Sequence, residues 1–70
     1  MRFSNLEAEF TRMGLSVEEV GKELGFAKVV LYNRLNGRTS WTLNDMLKVQ
    51  KFINDRTGSH YTLDYLFSKG

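Results

Sequence analysis

With one histidine, His60, and no cysteine, the chain has no thiol nucleophile, no thiolate metal site and no histidine pair. It also lacks a glycine-rich phosphate loop and any set of carboxylates spaced for acid–base work. His60 stands beside Ser59 in a polar stretch and is expected to face solvent. No cofactor, metal or small-molecule substrate is expected, and the chain is not expected to be an enzyme. The chemistry on offer is charge and hydrogen bonding. From Leu24 to Asn44 there is no acid, while Lys28, Arg34 and Arg38 are basic. Residues 1–23 carry Glu7, Glu9, Glu18, Glu19 and Glu23 against Arg2, Arg12 and Lys22. An acid-free basic window is what a phosphate-facing surface requires. Inside that window, Lys28, Val29, Tyr32 and Asn33 fall on the outer side of a short helix. Its inner side is Val30 or Leu31, together with Leu35.

That helix needs elements to hold it. Ser16 is an N-cap with Glu19 in the capping-box position and Leu15 and Val20 as the flanking apolar pair, so a helix is expected to run from there to Leu24. Val17, Val20 and Leu24 face inward. Gly25 suits the left-handed residue that closes this helix and turns the chain into the next. Gly21 sits mid-helix, where glycine costs about 1 kcal/mol relative to alanine, and close packing against the following helix is a reason to tolerate it. The following helix begins after Ala27, a poor cap, and ends at Asn36-Gly37. Two short helices joined this way have the sequence form of a helix-turn-helix, whose second helix is presented to the DNA major groove.

Flanking helices complete the expected frame. Ser4, with Glu7 three residues on, is expected to cap a first helix ending near Met13 and Gly14, with Phe3, Leu6, Phe10 and Met13 on one stripe. Thr42 caps a fourth helix with Asp45 near its positive end. Its stripe is expected to be Leu43, Met46, Leu47, Gln50 and Ile53, with Val49 and Phe52 beside it. Asn54 to His60 is expected to be a polar loop. Thr62 caps a short fifth helix anchored by Leu63, Leu66 and Phe67. No strand-length window alternates with period two, so the fold is expected to be all-α with five helices.

Seventy residues make one small domain, 1–70, with the helix-turn-helix at about 16–37. An apolar fraction of 41% supports a core. No apolar run approaches the ~20 residues of a membrane span, and the polar, acidic start is unlike a signal peptide. A soluble, cytoplasmic protein with no membrane partner is expected. Trp41 and the apolar stripes are assigned to the core.

Ser16, Glu19, Val20, Gly21, Leu24, Gly25, Phe26, Leu31, Asn36 and Gly37 together resemble the helix-turn-helix of the Xre-type, lambda-repressor-like family, which includes the repressors and Cro proteins of temperate phages. The run from Tyr32 to Arg38, the following Trp41-Thr42-Leu43 and the ending Leu63 to Phe67 are similar to short phage regulators of the same family. The chain departs from the usual pattern at Gly21, where alanine is common, at Ala27, where a hydroxyl residue is common, and at Arg34-Leu35. The resemblance implies a five-helix, lambda-repressor-like DNA-binding domain and a Cro-like transcriptional regulator acting in the cytoplasm of a bacterial host.

Carried over by position, the family pattern puts Lys28, Val29 and Asn33 at base edges, with Tyr32 beside them. Lysine can donate to guanine O6 and N7, asparagine can bond adenine N6 and N7, and a valine methyl can meet the thymine methyl. Ser16 and Val17 would meet the DNA backbone through their amides, and Arg34, Asn36, Arg38, Thr39 and Ser40 would add further backbone contacts. Double-stranded DNA is the implied partner. A homodimer on DNA is expected, using the loop after the third helix with the fourth and fifth helices, where Tyr61, Tyr65 and Phe67 leave aromatic area. The alternative is an antitoxin-like or antirepressor-like module that uses this fold to bind a protein, a reading favoured by the weak net charge of +2 and the acids of the first two helices.

Overall fold

The computed structural model describes residues 2–68, and those residues form five helices and no strand. In chain order they are α1 (Ser4–Arg12), α2 (Val17–Leu24), α3 (Lys28–Leu35), α4 (Leu43–Thr57) and α5 (Leu63–Leu66). The contacts between elements run α2 to α3, α4 to α5, α1 to α5 and α2 to α4. One core joins them, built from Phe3, Leu6, Phe10, Val20, Leu24, Leu31, Leu35, Val49, Ile53 and Leu66.

The ends of α2 follow from its sequence. Ser16 Oγ accepts from the Glu19 amide while Glu19 Oε1 accepts from the Ser16 amide, closing a capping box. Gly25 adopts φ +78° and its amide bonds back to the Gly21 carbonyl, so the helix stops and the chain reverses within three residues. A Cβ on Gly21 would lie 3.0 Å from the Phe26 carbonyl oxygen and 3.7 Å from Leu31 Cδ2. The tighter approach is therefore to the turn itself, with α3 second. Thr42 caps α4 and Thr62 caps α5 through their hydroxyls, as their positions require.

Four expectations need correction. First, Ser4 is not the cap of α1. Phe3 holds that position with no side-chain bond, and its carbonyl accepts from the Glu7 amide. Burying the Phe3 ring and tying the Arg2 amide to the Leu35 carbonyl places the chain one residue earlier than the capping pattern suggests. Second, α4 runs through Asn54 to Thr57 and closes at Gly58, φ +67°. The polar residues there are the outer face and last turn of a helix, supported by a Lys51–Asp55 pair at 2.9 Å.

Third, of the stripe expected on α4, Ile53 is buried together with the neighbouring Val49, but Leu43 and Leu47 are 61% and 45% exposed. The apolar spacing permits either face. Asp45 lies on the buried side with Val49 and Ile53, at spacings of four and eight, and its carboxylate meets Arg34 of α3. Fourth, the aromatic area assigned to a dimer surface is mostly used within the molecule. Phe67 packs edge-on against Trp41 and Phe3, and Tyr61 stacks on Tyr65 with ring centres 5.1 Å apart.

Among the described residues, Glu9 is the buried acidic side chain. Its Oε2 accepts from the Tyr65 hydroxyl and from Arg12 Nη1, each at 2.8 Å, and so joins α1 to α5. Among the described residues, no helix is long and apolar enough to cross a membrane.

Candidate nucleic-acid interface

The eight residues of α3 leave little to hold it in place, so the anchoring is concentrated. Leu31 and Leu35, one helical turn apart, are fully buried. The inner side is thus Leu31 and Leu35, and Val30 is 39% exposed. At its start, Ala27 has extended backbone and makes no cap bond. At its end, the amides of Arg38 and Thr39 both turn back to the Asn33 carbonyl, at 2.9 and 3.4 Å. The Asn36 amide bonds the Tyr32 carbonyl. Gly37 takes φ +76° and the Arg2 side chain lies against it, which ties the chain's first residues to the loop after α3.

Val29 is exposed opposite the buried leucines with Asn33 half-buried beside it, while Lys28 is exposed at the start of the helix and Tyr32 is half-buried one turn on. The four residues implied to meet bases therefore lie on α3 outside its two buried leucines. Asn36, Arg38, Thr39 and Ser40 are all exposed in the adjoining segment. Because the Arg38 and Thr39 amides are already bonded, that segment offers side chains rather than those two amides.

Three residues of the implied set are engaged within the molecule. The amide of Ser16 is bonded to Glu19 at 3.1 Å, so Val17 is the residue of that pair whose amide stands in the open first turn of α2. Arg34 donates to the Asp45 carboxylate, and its guanidinium lies 5.6 Å from the ring centres of both Phe26 and Trp41. With only 17% of its side chain exposed, Arg34 braces α3 against α4. That hydrogen bond holds the Asp45 carboxyl below its ordinary value. Lys28 Nζ stands 2.8 Å from Glu18 Oε1 of α2, across the turn. The bond lowers the Glu18 pKa and raises that of Lys28.

From the sequence, Glu18 is only a charge and Asp45 has only a place near the positive end of α4, with no partner for either. Both stand in the first turn of a helix that packs toward α3 or its turn, which is the signal that marks them. Glu9 could have been found from its place between Leu6 and Phe10 on the apolar stripe of α1.

The surface so formed is a convex helix face with one cation, one methyl-bearing side chain, one phenol and one amide. Comparison with protein-family models, with curated proteins and with solved structures gives no match.

Proposed function

We propose that the chain is a sequence-specific, double-stranded DNA-binding regulator of the Xre-type, lambda-repressor-like kind, reading the major groove with α3. The observation that carries this reading is the arrangement of α3. Leu31 and Leu35 are fully buried while Val29, on the opposite side, and Lys28, at the open start of the helix, are exposed, behind a glycine turn and a fully capped α2. A helix this short with an outward face of Lys, Val, Tyr and Asn carries the donors and the methyl group that base edges in the major groove can accept. Arg38, Thr39, Ser40 and Asn36 supply backbone contacts beside it.

A two-fold dimer on DNA belongs to the same proposal. One module of this size would bury about 600–1,000 Å² on DNA, and a second on the next half-site doubles the contacts. Leu43 and Leu47, the exposed apolar side chains of α4, are the surface available for it. The protein would act in the cytoplasm, where its operator lies. Footprinting together with sedimentation of the complex tests the dimer. Two protected half-sites one helical turn apart support it, and one protein on one half-site contradicts it.

A protein-binding role is the second reading. Glu18 cancels the charge of Lys28, and Val29 and Val30 add apolar area nearby, 63% and 39% exposed. That role predicts no salt-dependent affinity for duplex DNA.

A further inference from the structure

We infer that Glu18 sets the sequence discrimination of α3 by holding and neutralising Lys28, so that this lysine serves as a base reader and not as a general phosphate contact. The inference rests on the DNA-binding reading. Glu18 is the second residue of α2 and Lys28 the first of α3, and their side chains meet at 2.8 Å although they are 55% and 62% exposed. A pair so open to water contributes little to folding. It lies instead at the edge of the outward face, where it governs what the Lys28 ammonium can do.

Three features of the pair act together. A lysine ammonium has three donors. One directed at Glu18 leaves two, the number needed for O6 and N7 of a single guanine. Lysine is also flexible, and reaching a base normally costs rotamer freedom. Glu18 on one side and the Tyr32 ring, 5.9 Å from Nζ, on the other restrain it beforehand. Finally, the pair has no net charge, and the carboxylate repels phosphates. Non-specific binding is driven almost wholly by phosphate charge, so this penalty falls on random sequence far more than on a site with a correctly placed guanine.

The test compares wild type, Glu18→Gln, Lys28→Ala and the double variant. Each is titrated over a salt series with a duplex recovered by selection from random DNA and with a random-sequence duplex of equal length. Glu18→Gln is expected to bind the random duplex about fivefold more tightly. Its log–log salt slope on that duplex is expected to steepen by about 0.9 per subunit, the mark of one added phosphate contact. The ratio of selected to random affinity falls accordingly. Lys28→Ala is expected to lose discrimination without the steeper slope, and in its background Glu18→Gln should leave the slope unchanged. Far-ultraviolet circular dichroism checks that each variant is folded. Wild-type slope and ratio in Glu18→Gln, with wild type binding DNA, overturn this inference alone. Wild type without affinity for either duplex overturns the DNA-binding reading and the inference with it.

Discussion

Lys28 and Arg38 are both exposed cations near α3, but one is held against Glu18 and the other follows the left-handed Gly37 in a loop fastened to Asn33. Their loss should therefore be felt differently. Lys28→Ala is expected to cost about 1–3 kcal/mol on the preferred duplex and to relax discrimination at one base pair. Arg38→Ala should weaken all duplexes alike and reduce the salt slope by about 1. Affinity across a panel of single-base operator variants separates the two, and uniform loss in both would remove Lys28 from the base-reading set. Val29 and Asn33 were legible as outer residues of α3 because a helical period sets them opposite Leu31 and Leu35, whereas Lys28 is open because it begins the helix. The partners of Lys28 and Arg34 were not, because Glu18 and Asp45 reach them from other helices and no local period encodes such a contact.

The caps and the turn were the most legible elements, since Ser16, Gly25, Thr42 and Thr62 each satisfy a local backbone requirement with a local side chain. The face of α4 was legible in part: Ile53, with Val49 beside it, is buried as expected, whereas the leucines at 43 and 47, which fit the same helical stripe, are exposed. Which of them is buried is set by packing against the other helices, which join Val49 and Ile53 to one core. The missing cap of α3 leads to a prediction. Ala27 already has N-cap backbone geometry, so Ala27→Ser is expected to stabilise the fold by about 1 kcal/mol. Thermal unfolding should show a rise of about 4–8 °C in Tm. An unchanged or lower Tm would mean that the α3 start is satisfied in another way.

At the scale of the molecule, the Arg34–Asp45 contact couples the helix that would read DNA to the long helix behind it. Asp45 is held below its ordinary carboxyl value, chiefly by the hydrogen bond from Arg34. Its unfolded form therefore binds protons more readily than its folded form. The stability it contributes is complete above about pH 4 and is lost as pH falls through the folded value. Asp45→Asn is expected to lower stability at neutral pH by about 1–2 kcal/mol and to flatten the acid side of the stability profile. Denaturant unfolding between pH 2 and pH 7 checks both effects, and an acid limb as steep as wild type would assign it to another carboxylate.

The central claim is that α3 and the loop after it form a DNA-reading surface. It is tested most directly by titrating a labelled duplex, selected from random sequence, at several salt concentrations alongside a random duplex. Salt-dependent binding with a slope of about −1 per subunit is predicted, because Arg38 is the cation of α3 and its loop that neither Glu18 nor Asp45 holds. The selected duplex should be preferred by about a thousandfold or more. Affinity that does not change with salt, or no affinity for either duplex, would contradict it.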